Sequence, residues 1–241
     1  MHTTSDLYNQ IFSDPGHWTE LKLDIAGQEY TQGNIVSLSI SGGLFDTPGI
    51  GNVNARQIDM EIVPIGTIPR QAQINVFVRV CVGEQASEWI PKGVFFFSTR
   101  ELDKVSGILT VTGYDAMLKA ENVWLNEGYV YDNWPMPQET AVADIAQRMG
   151  VSVDPRTVLS DDFPVEYPVD EEGDLTMREA LSFIAVSDAG NWIITDEGKL
   201  RLIRFGDIPE QAGYLVTEYG QPIQFAGEVL TKFNPVFVFA V

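Results

Sequence analysis

Cysteine and histidine are almost absent from this sequence of 241 residues, which contains one Cys and two His. The single cysteine, Cys81, excludes an intramolecular disulfide and a zinc site built from paired cysteines. It stands within the apolar run INVFVRVCVG, so we expect a small buried side chain in a strand. His2 and His17 both lie near the N-terminus, which leaves few places for Cys–His or Ser–His catalysis.

Positive charge is also scarce: the sequence contains 15 Lys and Arg but 34 Asp and Glu, and its formal net charge is −19. Such a field repels phosphate backbones, so we expect no nucleic-acid partner. No apolar run approaches the ~18 to 20 residues of a membrane span. The start, MHTTSDLYNQ, lacks the basic and apolar regions of a signal peptide. We therefore expect a chain that is made in a cytoplasm and does not insert into membranes.

The first half of the chain carries the two-residue period of β-strands. A short helix, DLYNQIF, capped by Thr4 or Ser5, precedes them. The predicted strands are LKLDIAG, NIVSLSIS, ARQIDMEIVPI, AQINVFVRVCVG, GVFFFSTRELDK and GILTVTGYDA. Their short connections predict an antiparallel sheet that closes into a barrel or sandwich. Strict alternation fails at Val36, which adds an apolar residue between Ile35 and Leu38.

The second half is predicted to mix helices with a hairpin. YDAMLKAE predicts a short helix, and QETAVADIAQRMG predicts a longer one that ends at Gly150. Residues 151–172 have little periodicity and predict mostly loop. Thr176 and Glu179 form a capping box for a third helix, which Gly190 can stop. NWIITDEGKLRLIRF then predicts a hairpin that turns at 196–198.

These patterns predict an α+β fold in three parts. Residues 1–116 form a β-rich, barrel-like domain with a short N-terminal helix, and residues 117–204 form a smaller α+β domain with helices and a hairpin. Residues 205–241 return to the β domain or lead to a missing downstream domain. They end in TKFNPVFVFAV, an apolar strand that needs a partner.

Residues 46–49 spell Asp-Thr-Pro-Gly, a tetrapeptide that senses the γ-phosphate in many GTPases. A phosphate switch also needs a phosphate-binding loop of the form G-x-x-x-x-G-K-[ST], and none of the lysines completes one. The run of β-hairpin patterns is also wrong for alternating βα units. We therefore interpret this stretch as a turn between two strands.

Other candidate sites are weak. DEEGD at 170–174 lacks the spacing of a calcium loop, and SDD at 160–162 is expected to be solvated. Core filling is the expectation for most of the five tryptophans, although Trp89 and Trp124 stand beside element ends, where docking against a neighbouring subunit is plausible. We name no catalytic, cofactor-binding or metal-binding residue and expect no cofactor.

Several segments resemble a known family. They are IGNVNARQIDMEI with the following IPRQAQINVFVRV, then SEWIPKGVFFFSTRELD, LTVTGYDAMLKAE, TMREALSFIAVSDAGNWIITDEGKLRL and GYLVTEYGQPIQFAG. Together they resemble, from about residue 6 to residue 227, the N-terminal part of tail proteins encoded by phages and prophages of Gram-positive bacteria. Relatives commonly continue into further domains, whereas this chain stops after EVLTKFNPVFVFAV.

The resemblance implies a baseplate hub or tail-tip component, similar in architecture to the trimeric hubs of contractile tails. It implies a structural, non-enzymatic protein whose partners are copies of itself, as a homotrimer, and neighbouring tail or baseplate proteins. Such a protein is present in the bacterial cytoplasm during assembly and then in the virion tail. Two alternatives stay open, a tail-associated cell-wall hydrolase and a glycan-binding module that uses Trp89 or Trp134.

Overall fold

A computed structural model describes residues 4–42, 49–125, 134–166 and 175–204, and two two-residue strands at 224–225 and 228–229. The chain divides into two compact units, Met1–Ile203 and Arg204–Val241. In the second unit, Gln224–Phe225 pairs with Glu228–Val229 as antiparallel strands. The finer division of the first unit at residue 116 stays a prediction.

An eight-stranded sheet forms most of the first half of the larger unit. Its strands are β1 (Trp18–Ile25), β2 (Gln28–Tyr30), β3 (Ile35–Ser41), β4 (Gln57–Ile62), β5 (Gln73–Val82), β6 (Gln85–Ala86), β7 (Ile90–Leu102) and β8 (Leu109–Asp115). The order across the sheet is β2-β1-β5-β7-β8-β4-β3, and β6 pairs with the end of β5. Every pair is antiparallel, as predicted. The sheet curls into a half-barrel with β2 and β3 at its two edges, which confirms the β-rich α+β fold.

One face of this sheet carries a core that follows from the alternation in the sequence. In β4, buried Ile58, Met60 and Ile62 alternate with half-buried polar residues. The same rule places one side of each neighbouring strand inside. The cluster consists of Leu23, Ile25, Tyr30, Ile58, Met60, Ile62, Ile68, Ala72, Ile74, Val76, Phe95, Leu109 and Val111. Burying each large apolar side chain stabilises the fold by roughly 1.5 to 3 kcal/mol.

Helices and short strands form the rest of the larger unit. In chain order these elements are α1 (Asp6–Phe12), a 3-10 helix (Ala116–Glu121), β9 (Val123–Leu125), α2 (Gln138–Met149), β10 (Leu175–Thr176), α3 (Met177–Ser187), β11 (Gly190–Ile194) and β12 (Leu200–Arg204). Ser5 caps α1 by accepting from the backbone N–H of Tyr8. Gly150 ends α2 in the left-handed conformation, with φ 72°. Both caps were predicted.

The capping box of α3 is confirmed, but the predicted role of Gly190 is wrong. Thr176 and Glu179 exchange both capping hydrogen bonds, and the helix then ends at Ser187. Ala189 takes the left-handed conformation, with φ 50°, and Gly190 is already the first residue of β11. A Cβ on Gly190 would lie 2.8 Å from the carbonyl oxygen of Ile203. This glycine therefore permits the close approach of β11 and β12 rather than stopping a helix.

A second core lies among the helices and the β11–β12 hairpin. Its two tryptophans, Trp124 and Trp192, are both buried. Trp192 donates from Nε1 to the carbonyl oxygen of Leu181 at 2.8 Å, which satisfies its one polar group within the core. The predicted hairpin turn is confirmed, since Gly198 N–H donates to the carbonyl oxygen of Thr195 at 2.9 Å.

The stretch 49–56, just before β4, belongs to this second core. Val53 is buried in it and forms a parallel bridge with Trp192. The backbone N–H of Asn52 donates to Asn191 Oδ1 at 2.7 Å, and Gly51 N–H donates to the carbonyl oxygen of Gly190 at 2.9 Å. A segment from the first half of the sequence therefore forms part of the second core.

Arg56 joins the sheet to the hairpin by electrostatics. Its Nε lies 3.4 Å from Asp115 Oδ2, and its Nη1 lies 2.7 Å from Asp196 Oδ1. The guanidinium also donates to the carbonyl oxygen of Thr195 at 3.3 Å and lies over the ring of Phe95. Burial raises the pKa of the Asp115 carboxyl, and backbone N–H donors and the Arg56 charge oppose that rise. The backbone N–H groups of Arg56 and Met117 and the Arg56 cation together compensate this buried carboxyl group.

The loop after α2 is held by a second ion pair. Asp154, which is buried, accepts from Arg156 Nε at 2.8 Å and from Arg156 Nη2 at 2.7 Å. Its backbone N–H donates to the carbonyl oxygen of Leu200 at 2.8 Å, which ties the loop to β12. The side-chain hydrogen bonds from Arg156 lower the pKa of the Asp154 carboxyl to about 2.

We expect Arg56→Met to destabilise the larger unit by about 3 kcal/mol, because it leaves the Asp115 carboxylate buried without its cation. Urea unfolding followed by tryptophan fluorescence measures the loss. Lys104→Ala, which removes a positive charge from an exposed turn, is the control and should change stability by less than about 0.5 kcal/mol. Equal losses in the two variants would contradict the bridging role of Arg56.

We expect Asp154→Asn to cost about 1 to 2 kcal/mol at neutral pH and progressively less as the pH falls. The folded-state pKa lies below the unfolded value, so the contribution is complete above about pH 4 and disappears as the pH drops towards 2. Denaturant unfolding of both proteins between about pH 7 and pH 3 measures the gap. Asp161→Asn, in an exposed part of the same loop, is the control. A gap that does not change with pH would rule out the ion pair as its source.

Candidate functional site

The β3 strand forms one edge of the large sheet. It spans seven residues, Ile35–Ser41, and pairs with β4 on one side. Among the described residues, no strand pairs with its other side. Its sequence, IVSLSIS, contains no charge and no proline. Edge strands that are protected from association usually carry such residues, so β3 is suited to pair with another strand.

The apolar side of β3 leaves the sheet core partly uncovered. Leu38 lies opposite Met60 and Ile40 lies opposite Ile58, so both follow the buried side of β4. Leu38 is half-buried and Ile40 is 36% exposed. Val36, at the irregular position predicted from its break in alternation, is 53% exposed. A strand added to this edge would extend the core over these side chains.

The opposite side of the same edge is polar and internally hydrogen-bonded. Ser37 Oγ donates to Glu61 Oε2 at 3.3 Å, and Asp59 accepts from Thr112 and Gln57, each at 2.7 Å. These bonds satisfy the carboxylates on β4 without a partner. The edge therefore favours an incoming strand with apolar residues on one side and small polar residues on the other.

The other edge of the sheet has a different character. β2 has only three residues, and its Glu29 lies 3.7 Å from Lys22 of β1. Short length and charge both protect a sheet edge from association. The two edges are therefore unequal, because β3 is longer and uncharged and its pairing is irregular only near its start, between Ile35 and Ser37.

The tryptophans have structural roles that differ from part of the prediction. Trp124 is buried and donates from Nε1 to Asp144 Oδ2 at 2.7 Å, so the predicted docking of Trp124 against a neighbouring subunit is wrong. Its ring meets that of Trp134 edge-on, with centroids 6.4 Å apart. The prediction was wrong because a position beside the end of an element does not determine whether a side chain is buried. Trp124 is covered by α2, whose Asp144 and Arg148 both bond to it.

Trp89 is half-buried and engaged by cations. Lys22 Nζ lies 4.7 Å and Arg79 Cζ 4.5 Å from its ring centre. Arg79 is itself held by Glu20, with Nη2 2.7 Å from Oε2. These contacts place two cations against the ring of Trp89. Trp89 thus packs against side chains of both β1 and β5.

The titratable groups form no reactive cluster in the described part of the chain. No group of three His, Cys, Asp or Glu side chains there could share a metal ion. Cys81 is buried in β5 as predicted, and burial raises the pKa of its thiol. Asp161 and Asp162 are exposed, whereas the acidic stretch 170–174 and residues 46–48 of the Asp-Thr-Pro-Gly motif lie outside the described residues. No described helix has the length and apolar character to cross a membrane.

The sequence contained a signal for the β3 edge, which is the lack of charge in IVSLSIS. Its meaning depends on strand order, because the same run in a central strand would be ordinary. Order is decided by pairing between distant segments, so the edge could not be identified from the sequence.

No protein-family model matches the sequence, and no curated protein matches it. Among solved structures, the tail protein from Neisseria meningitidis MC58 is similar at 13% identity and TM-score 0.49, over 85% of this chain and 53% of that protein. The 43 kDa tail protein of prophage MuSo2 from Shewanella oneidensis is similar at 14% identity and TM-score 0.49, over 83% and 59%. The prophage tail protein gp18 from Listeria monocytogenes EGD-e is similar at 9% identity and TM-score 0.42, over 84% and 64%. The chain thus spans little more than half the length of the first two, and all three of these solved structures are tail proteins.

Proposed function

We propose that this chain is a structural component of a phage or prophage tail, in the baseplate hub or tail tip, and that it acts by assembly rather than by catalysis. The sequence resemblance over residues 6–227 supports the assignment to a phage or prophage tail. The β3 edge supports the role in assembly.

The observation that carries the assembly role is the unprotected β3 edge. A seven-residue strand with no charge, beside a partly exposed core, is a site for β-strand addition. The net charge of −19 would oppose contact between copies through most of the surface. The β3 strand itself carries no charge, so its backbone adds nothing to that repulsion.

We propose a homotrimer, in the bacterial cytoplasm during assembly and then in the virion tail. A closed ring of three needs a heterologous contact, in which β3 of one copy meets a different surface of the next. A β3-to-β3 contact is isologous and would give a dimer instead. The stoichiometry therefore distinguishes the two ways in which β3 can be used. Neighbouring tail or baseplate proteins are the further partners that we propose.

We expect the purified protein to have a mass of about 80 kDa by light scattering at micromolar concentration, which is three times 26.8 kDa. Ile40→Lys should weaken association at least about tenfold, because it places a charge on the apolar side of the paired edge. The matched control is Leu118→Lys, since Leu118 is 42% exposed and lies in the 3-10 helix.

A dilution series for all three proteins separates the outcomes. Loss of the oligomer in Ile40→Lys alone supports the β3 contact. Equal loss in both variants would assign assembly to general surface properties and contradict the role of β3. A strict monomer in the unaltered protein, with no binding to neighbouring tail proteins, would overturn the structural proposal. A cleared zone in a cell-wall gel assay would overturn the non-enzymatic part.

A further inference from the structure

A separate apolar groove lies beside α3, and none of the residues that line it belongs to β3. Its floor is formed by buried side chains, Trp124, Ala180 and Ile184. Its rim is formed by two exposed phenylalanines, Phe163 at 56% and Phe183 at 63%. The groove encloses about 240 Å³. Small-molecule sites usually measure roughly 300 to 1,000 Å³, so this groove suits one or two side chains of a peptide rather than a cofactor.

Neither of the two exposed phenylalanines belongs to the buried cluster of the second core. Phe183 stands on the outer side of α3, whereas Leu181, Ile184 and Ala185 of the same helix are buried. Aromatic side chains exposed at the rim of a pocket are typical of protein–protein contacts. The rim therefore points to an occupant with an apolar side chain.

A buried polar atom in the groove identifies a second requirement. Gln138 is 3% exposed, and its Oε1 has no hydrogen-bond partner among the described residues. The orientation of its amide is fixed by Ser187. The Ser187 hydroxyl donates to the carbonyl oxygen of Ile184 at 2.8 Å, so at Gln138 it must accept from Nε2, at 2.8 Å. Oε1 is therefore left as a buried acceptor, and an incoming N–H donor would satisfy it.

The charge around the groove selects between occupants. Glu166 is the one charged residue that lines the described groove, and Asp161 and Asp162 immediately precede Phe163. A second copy of this chain carries a net charge of −19 and would meet these carboxylates with repulsion. A segment with lysine or arginine near its apolar residue would be attracted.

We propose that this groove binds a peptide segment of another protein, with an aromatic or branched apolar side chain between basic residues. The apolar side chain lies between Phe163 and Phe183, and an N–H of the segment donates to Gln138 Oε1. The basic residues face Glu166. This site is independent of the β3 edge and of the proposed oligomer.

The test uses the full chain, labelled with ¹⁵N, and the peptide acetyl-Lys-Phe-Lys-amide as the probe. We expect saturable shifts of the backbone amides of α3. Acetyl-Lys-Ser-Lys-amide should give no saturable shift, and acetyl-Glu-Phe-Glu-amide should bind at least about fivefold more weakly. Equal binding of the acidic and basic peptides would overturn the charge argument, and no saturable shift with the basic peptide would overturn the site.

Variants of the protein measure the contributions of the phenylalanine rim and of Gln138 to peptide binding separately. Phe183→Ser should weaken binding of the basic peptide at least about fivefold, and Gln138→Leu should weaken it several-fold through loss of the acceptor. Val105→Ser is the control, since Val105 is 97% exposed and does not line the groove. A fold check by circular dichroism accompanies each variant, and Phe163→Ser replaces any that fails to fold.

A dilution series of the ¹⁵N-labelled protein without any peptide provides the remaining comparison. Concentration-dependent shifts confined to α3 would assign the groove to a second copy of the chain and overturn the proposed peptide partner. An effect of Val105→Ser equal to that of Phe183→Ser would also overturn it. Because the peptide experiment reads α3 directly, its result does not depend on whether the protein forms the proposed trimer.

Discussion

The contact between Arg56 and Asp115 is the interaction on which the arrangement of the larger unit depends. Asp115 ends β8 and caps the 3-10 helix by accepting from the backbone N–H of Met117 at 3.0 Å. Arg56 reaches from the start of β4 to that carboxylate and onward to Asp196 in the hairpin turn. Arg56 therefore contributes both a backbone N–H and a cation to a buried carboxyl group, and its side chain joins three elements that are far apart in sequence. Without the cation, only backbone N–H groups would oppose the effect of burial, and the pKa of the Asp115 carboxyl would rise further.

Local patterns predicted the elements of this fold because their causes are local. The alternation of Ile58, Met60 and Ile62 follows from the pleat, and the Thr176–Glu179 box satisfies the first amides of α3 within four residues. The antiparallel pairing also followed, since short connections leave little choice. Features that depend on distant neighbours were not accessible. Gly190 has its role because β12 approaches within contact distance, and nothing near it in sequence indicates that approach.

The same distinction applies to the candidate site. Trp124 and Trp89 look alike as aromatic residues beside element ends, yet one is buried beneath α2 and the other lies against two cations. The β3 edge is defined by the order of strands, and the groove at α3 by the approach of residues 163–166 to that helix. Each surface combines residues that are unremarkable alone. Their meaning arises from which apolar side chains remain uncovered after the two cores have formed.

The stretch 49–56 has a consequence for how the larger unit unfolds. Its backbone pairs with β11 through Gly51 and Asn52, its Val53 lies in the second core, and its last residue, Arg56, reaches the end of the sheet. Separating the two cores would break all three kinds of contact at once. Loss of either core would therefore remove support from the other, so the larger unit should lose its structure in a single cooperative transition rather than in two steps.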